Sequence, residues 1–137
     1  MRHNHEPGET VDRLAYEVIG AALEVHRVLG AGLLELVYER ALCREFRLRG
    51  IPFVAQPIVP IQYKGEEVGE CRLDLLVGDT IILELKAVEH LLAVHTAQLV
   101  TYLKITGYPL GLLINFNVPL LRDGIKRIIV SSQTVDY

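Results

Sequence analysis

The chain has 137 residues, of which 50% are hydrophobic and 23% are charged, and its formal net charge at pH 7 is −3. This length suits a single domain, and this composition excludes an intrinsically disordered or collagen-like chain. The slight negative charge argues against nucleic-acid binding driven by charge alone, but it leaves room for an enzyme whose bound metal ions supply a local positive field.

No segment predicts insertion into a membrane or secretion. The longest apolar stretch, residues 108–121, contains two asparagines and two prolines and is shorter than the roughly 20 residues that a membrane-spanning helix needs. The first ten residues lack the apolar middle of a secretory signal. Cys43 and Cys71 lack the spacing of a zinc motif. We therefore expect a cytoplasmic protein with a flexible tail over residues 1–10 and a single domain over residues 11–137.

Two helices are predicted before the first strand. Apolar residues recur at helical spacing over residues 11–29, with Thr10 as the N-cap and Gly30 as the stop. A second helix is predicted over residues 33–48 and ends at Gly50. Four apolar side chains are expected to line its inner face: Leu34, Val37, Ala41 and Leu42.

Strand-like patterns fill the middle of the chain. Residues 53–63 alternate loosely and contain two prolines, which predicts one irregular edge strand. A hairpin turn at residues 64–67 leads to a strand over residues 68–77. A second tight turn at Gly78-Asp79 leads to a strand over residues 80–86, the most strand-like run of the chain.

A third helix and two further strands complete the predicted domain. The helix covers residues 92–105, and three leucines form its packing stripe: Leu92, Leu99 and Leu103. An almost wholly apolar strand over residues 110–116 suits the middle of a covered sheet, and a last strand covers residues 125–131. The order ααβββαββ predicts a mixed α/β (α+β) fold, in which helices pack on a small mixed sheet.

Three charged residues occupy strand positions where apolar side chains are expected. Asp74 lies in RLDLLV, and Glu84 and Lys86 lie in IILELK. Side chains two apart on a strand share a face, so Glu84 and Lys86 are expected to project together, about 7 Å apart along the strand. The turn between the two strands is expected to bring Asp74 beside Glu84. The other face of the strand points into the core through Ile81, Leu83 and Leu85.

These groups suit a hard divalent cation such as Mg²⁺ or Mn²⁺. Mg²⁺ is usually held by one or two carboxylates, with water and substrate phosphate completing its shell. Asp74 and Glu84 fit that need, and the carbonyl of Leu85 can add a ligand. Lys86 can orient or deprotonate the attacking water, or stabilise charge on the phosphate. On spacing alone, a simple pairing of Glu84 with Lys86 on a half-solvated sheet face is the favoured interpretation.

The second helix offers a further carboxylate. Gly32, Glu35 and Tyr38 fall three residues apart and cover an arc of about 120° at roughly 100° per residue. Glu35 can therefore join the acids, and Gly32 permits close approach near the helix start. The alternative is that Glu35 is a solvated first-turn acid stabilised by the helix dipole.

The third helix offers neutral hydrogen-bonding groups. His95, Gln98 and Tyr102 share one face. That face can orient Lys86 and contact a nucleic-acid backbone, and the alternative is an ordinary solvated helix face.

Several motifs resemble one known family. GLLELVY at residues 32–38 resembles the signature of the GxxExxY protein family, and RLDLLV, ILELKAV, AQLVTYLKITG and GLLINFNV resemble the rest of its pattern, in order. The resemblance covers residues 14–129. This family is placed in the PD-(D/E)xK nuclease superfamily, which implies a restriction-endonuclease-like αβββαβ core and metal-dependent hydrolysis of phosphodiester bonds in DNA or RNA.

The resemblance also implies roles for individual residues. Asp74 matches the aspartate of the superfamily motif, Glu84 its second acid and Lys86 its lysine. Glu35 matches the first-helix glutamate of the exonuclease-like branch. The QxxxY element of that branch is matched by Gln98 and Tyr102. One departure is Leu73, which stands where the motif has proline.

Three functional hypotheses follow from the sequence. The first is a Mg²⁺- or Mn²⁺-dependent nuclease with nucleic acid as its partner, in which Tyr38, His95, Gln98 and Tyr102 position the substrate. The second is a catalytically silent binding or assembly module with the same fold. The third is a metal-dependent hydrolase of another phosphate ester. The sequence leaves open whether the substrate is DNA or RNA, and whether the protein forms a homo-oligomer.

Overall fold

A computed structural model of the chain describes residues 8–130. Its helices are α1 (Glu9–Leu29), α2 (Glu35–Arg49) and α3 (Ala93–Thr106). Its strands are β1 (Phe53–Ala55), β2 (Ile58–Tyr63), β3 (Glu66–Arg72), β4 (Leu75–Val77), β5 (Ile81–Lys86), β6 (Leu110–Asn115) and β7 (Ile125–Ile128). A short 3₁₀ turn, Leu121–Gly124, precedes β7.

The strands form two sheets. The main sheet has the order β1-β4-β5-β6-β7, and β2 and β3 form a separate two-stranded sheet. β5 and β6 run parallel and are joined by the crossover helix α3, whereas the other neighbours are antiparallel. This architecture confirms the predicted mixed α/β class and is consistent with a restriction-endonuclease-like fold.

The helices cover both faces of the main sheet. On one face, α1 and α2 pack in a cluster that includes Tyr38 of α2 and Leu83 of β5. On the other face, Leu99 of α3 packs in a cluster with Ile82 of β5. Because side chains alternate along a strand, Glu84 projects to the same side as Ile82 and so to the side of α3.

The first helix begins earlier than its sequence pattern indicates. The amide of Asp12 donates to the carbonyl of Gly8, and Gly8 is the N-cap. Thr10 lies inside α1, so its prediction as the N-cap was wrong. Gly30 ends the helix with a φ of 75°, as predicted. Of the predicted tail, residues 1–7 lie outside the described residues.

The buried face of α2 differs from the predicted one. Leu34 and Val37 are 77% and 41% exposed, and Leu34 is the N-cap rather than a helical residue. The buried side chains are instead Tyr38, Glu39, Leu42, Cys43 and Phe46. The larger rings of Tyr38 and Phe46 occupy the space against the sheet, so the prediction for Leu34 and Val37 was wrong.

The two middle strands are each divided by a break. Residues 53–63 form β1 and β2, which separate at Gln56-Pro57 and belong to different sheets. Residues 66–77 form β3 and β4, which separate at Leu73-Asp74. The amide of Gln56 donates to the carbonyl of Asp74 at 2.8 Å, and the amide of Leu73 donates to the carbonyl of Pro57 at 3.0 Å. The two breaks therefore face each other, and Asp74 lies at one of them.

The second half of the chain follows its predicted elements with small shifts at their ends. Leu99 and Leu103 pack as predicted, but Leu92 is the N-cap of α3 and is 57% exposed. The last strand ends at Ile128, and the predicted strand end at Ser131 lies outside the described residues. In the described part of the chain, none of the helices is both long and apolar enough to span a membrane.

Candidate functional site

The central strand β5 carries two of the predicted site residues. It lies between β4 and β6 in the main sheet. Its Glu84 side chain is only 4% exposed, and Lys86, at the end of the strand, is half-buried. Lys86 is in register with Asn115 of β6. The buried carboxylate of Glu84 therefore lies two residues before Lys86, whose ammonium is at the end of the same strand.

The carboxyl groups of Asp74 and Glu84 each accept a hydrogen bond from the chain segment that carries the other group. The amide of Asp74 donates to Oε2 of Glu84 at 2.9 Å. The amide of Leu85 donates to Oδ2 of Asp74 at 2.8 Å. The structure therefore brings the two carboxyl groups together where β4 and β5 meet, and each group fixes the strand that carries the other.

Both carboxyl groups have raised pKa values. Burial raises the pKa of Asp74 to about 6, against the pull of the Leu85 hydrogen bond and with added repulsion from Glu35. Burial and the charge of Asp74 raise the pKa of Glu84 to about 8. Lys86 pulls both pKa values down, but it does not offset the other effects. Without a cation, the pair therefore retains a proton near neutral pH.

Glu35 is electrostatically part of this group. Burial of its carboxyl group raises the pKa of Glu35, the charge of Lys86 lowers it, and the charge of Glu39 raises it. In turn, Glu35 contributes to the raised pKa values of Asp74 and Glu84. The charge of Glu35, at the start of α2, therefore acts on both buried acids.

Tyr38 lies in the core rather than at the surface of the site. Its side chain is fully buried, and its ring stacks on Phe116 with centroids 4.5 Å apart. Its hydroxyl donates to the carbonyl of Gly30 at 2.6 Å and accepts from the amide of Leu33 at 3.1 Å. A buried hydroxyl with both partners inside the protein does not meet substrate. Tyr38 instead fixes the loop that leads to Glu35.

Replacing Tyr38 with phenylalanine should therefore destabilise the protein by about 1 to 3 kcal/mol, because the Gly30 carbonyl and the Leu33 amide lose their partner. Urea denaturation of the purified variant measures this loss. Tyr63→Phe is the matched control, since Tyr63 is 62% exposed and its variant should unfold as the wild type does. An equal midpoint for both variants would show that the Tyr38 hydroxyl does not fix the loop.

The three residues of the predicted α3 face have different surroundings in the structure. Burial raises the pKa of Tyr102, and the charges of Glu84, Cys71 and Asp74 raise it further. Gln98 is exposed. His95 accepts a hydrogen bond from the amide of Leu92 at Nδ1, 3.0 Å away, which leaves Nε2 as its free ring nitrogen. The charges of the two acids therefore act on Tyr102 of α3.

Sequence reasoning missed three polar residues around the site. Asn115 is 2% exposed and joins the chain after β5 to the end of β6, through bonds from its side chain to both backbone groups of Val88. Gln56 donates from Nε2 to Oε2 of the buried Glu39 at 3.0 Å. Asn115 could have been found as a lone amide at the end of an apolar strand. The pairing of Gln56 with Glu39 depends on distant parts of the chain and leaves no local signal.

The donor atoms at the site suit a divalent cation. Oδ1 of Asp74 and Oε1 of Glu84 make no hydrogen bond among the described residues, since the Leu85 and Asp74 amides donate to Oδ2 and Oε2. Carboxylate oxygens are the ligands that Mg²⁺ prefers, typically one or two from the protein. Residues 8–130 contain no group of three or more His, Cys, Asp and Glu side chains arranged to hold a metal ion by themselves.

Comparison with known proteins identifies the family. A search of curated proteins finds no significant match. The model of the PD-(D/E)XK nuclease superfamily matches residues 12–128, which is most of the chain. Nucleases of this superfamily generally use divalent metal ions. Glu84, Leu85 and Lys86 reproduce the (D/E)-X-K pattern in its name. The chain therefore belongs to the PD-(D/E)XK nuclease superfamily.

Proposed function

We propose that the protein is a metal-dependent nuclease that hydrolyses phosphodiester bonds of DNA or RNA, and that it belongs to the GxxExxY branch of the superfamily. The observation that carries this proposal is the linked pair of Asp74 and Glu84 beside Lys86, in a chain of this superfamily. Two buried acids with raised pKa values are a costly arrangement, and such arrangements cluster at functional sites.

The metal would be Mg²⁺ or Mn²⁺, held by Asp74 and Glu84 with help from Glu35 and the carbonyl of Leu85. When bound, the ion supplies a Lewis acid for the phosphate and lowers the pKa of its water. The acids must lose their retained proton to accept the ion, so we expect metal affinity to rise as pH increases from about 6 to about 8.

The remaining side chains have distinct roles in this proposal. Lys86 follows Glu84 on the same strand face, where its ammonium orients the attacking water or stabilises negative charge on the phosphate. Tyr102, Gln98 and His95 contact the nucleic-acid backbone through hydrogen bonds from the α3 face. Tyr38 acts indirectly, by holding the loop before Glu35.

We place this activity in the cytoplasm, where Cys43 and Cys71 would stay reduced, and both are free thiols in the structure. Since the chain has a net charge of −3, attraction of nucleic acid depends on the local site and its ion rather than on the whole surface. A homo-oligomer would be a further way to enlarge the nucleic-acid contact.

Purified protein mixed with single- and double-stranded DNA and RNA oligonucleotides tests the proposal directly. Cleavage should appear with Mg²⁺ or Mn²⁺ and disappear with EDTA. Calorimetry on the same protein measures whether it binds Mn²⁺. Oligonucleotide binding without cleavage of any substrate would overturn the nuclease assignment in favour of a silent binding module. Hydrolysis of free nucleotides alone would assign the site to another phosphate ester.

A further inference from the structure

Gln56 adopts a backbone conformation that its residue type disfavours. Among residues 8–130, three residues other than glycine have a positive φ: Gln56 (54°), Lys64 (49°) and Asp79 (58°). Lys64 and Asp79 lie in tight hairpin turns, at Lys64-Gly65 and Gly78-Asp79, where such angles are usual. Gln56 lies where the chain leaves the main sheet for the small one. A strained residue of this kind persists only where its surroundings hold it in place.

The backbone of Gln56 holds Asp74. Its amide donates to the Asp74 carbonyl at 2.8 Å. On the other side, the Asp74 amide and one Asp74 carboxylate oxygen bond to Glu84 and Leu85 of β5. Asp74 lies in the break between β3 and β4, where the regular ladder gives no support. The bond from Gln56 therefore replaces a strand partner at this position.

The side chain of Gln56 connects the strand break at Asp74 to α2. Its Nε2 donates to Oε2 of Glu39 at 3.0 Å, and Glu39 is only 8% exposed. Glu39 lies one helical turn after Glu35 and on the same side of the helix. One residue thus links the strand break that carries Asp74 to the helix that carries Glu35.

We propose that Gln56 is a positioning residue that, together with Glu39, sets the spacing between Asp74 and Glu35. The consequence for catalysis rests on the nuclease function proposed above. The role of Gln56 in spacing Asp74 and Glu35 does not rest on that function, because Mn²⁺ affinity and hydrogen exchange at the Asp74 amide can be measured without catalysis. Gln56 touches neither substrate nor ion in this proposal, and it acts only through the break and the helix.

Gln56→Gly separates this role from general stability. Glycine adopts the positive φ without strain, so the variant should fold, but it loses the bond to Glu39. We expect a tenfold or larger loss in kcat, tenfold weaker Mn²⁺ binding by calorimetry, and faster hydrogen exchange at the Asp74 and Leu85 amides. Lys64→Gly is the matched control: it relieves the same kind of strain in a hairpin turn and should leave all three measurements unchanged.

Exchanging the two partners provides a rescue. Gln56→Glu sets a second carboxylate against Glu39 and should lower Mn²⁺ affinity at least as much as Gln56→Gly. The double variant Gln56→Glu with Glu39→Gln restores one amide-to-carboxylate bond in reverse and should recover most of that affinity. If Gln56→Gly matches the wild type in affinity and amide exchange, or if the double variant recovers nothing, the proposal is overturned. If the wild type binds Mn²⁺ but cleaves no nucleic acid, the nuclease assignment fails and these two measurements still decide the role of Gln56.

Discussion

Replacing Asp74 with asparagine should lower metal-dependent cleavage by about 10² to 10³, while the protein stays folded. Asparagine keeps an oxygen that can accept from the Leu85 amide, which Oδ2 of Asp74 does at 2.8 Å. It removes the negative charge that a divalent ion needs, and losing one electrostatic contact at a reacting centre costs about 10² to 10³ in rate. Single-turnover cleavage rates measure the loss, and circular dichroism checks the fold.

Lys86→Ala should reduce cleavage by about 10² to 10⁴, the range typical of a lost proton-transfer or charge-stabilising group. The Lys86 side chain makes no hydrogen bond within residues 8–130, so the variant should fold, and the loss of its charge should raise the pKa values of Asp74 and Glu84 further.

Two surface variants serve as controls for these two predictions. Asp79→Asn removes an acid from the exposed Gly78-Asp79 turn, and Lys126→Ala removes an exposed lysine from β7. Neither should change the cleavage rate. If Asp74→Asn and Lys86→Ala cleave as fast as these controls, any hydrolysis must come from another site on the chain.

The metal-free protein should become less stable as pH rises from about 4 to about 8. The folded pKa values of Asp74 and Glu84 are about 6 and about 8, above their ordinary values of 3.8 and 4.5. In this window the folded state therefore holds protons that the unfolded state has released. The free energy of unfolding then falls with increasing pH, and it stops falling once both groups ionise in the folded state.

The size of this effect should reach a few kcal/mol, since one pKa unit corresponds to about 1.4 kcal/mol. Charges of both signs act on the pair: the charges of Glu35 and Glu39 raise the pKa of Asp74, and the charge of Lys86 lowers it. The charge of Glu84 in turn raises the pKa values of Cys71 and Tyr102. Urea denaturation at several pH values in EDTA gives the slope. Added Mg²⁺ should restore stability most at pH 8, where it neutralises two ionised acids.

Glu84→Gln isolates the source of that slope. The amide keeps an oxygen for the Asp74 amide, which lies 2.9 Å from Oε2, and it cannot ionise. The variant should be more stable than the wild type at pH 8, have a flatter pH dependence, gain little from Mg²⁺, and lose cleavage. Glu66→Gln on the exposed hairpin should keep the wild-type slope. If the wild-type free energy of unfolding does not change between pH 5 and pH 8, the pKa values of Asp74 and Glu84 are not raised and the prediction is wrong.

Much of the fold and the core of the site could be predicted because the signals are local. The alternation in IILELK and the Gly78-Asp79 turn are enough to place Glu84 opposite the end of the strand before it. The break at Gln56 was missed because a strand pattern does not reveal a positive φ that a distant residue holds in place. On α2, Leu42 is buried as predicted, but the predictions for Leu34 and Val37 were wrong. Apolar spacing does not show which side chains fill the space against the sheet, where Tyr38 and Phe46 lie.

The bonds between the acids and the backbone also bear on how such a chain would diverge. Selection for folding alone needs an acceptor oxygen at positions 74 and 84, because each side chain there receives an amide from the opposite strand. Asparagine and glutamine meet that need without the cost of buried charge. Under the nuclease function proposed above, a descendant that lost catalysis is therefore expected to acquire amides at these two positions and to vary freely at Lys86.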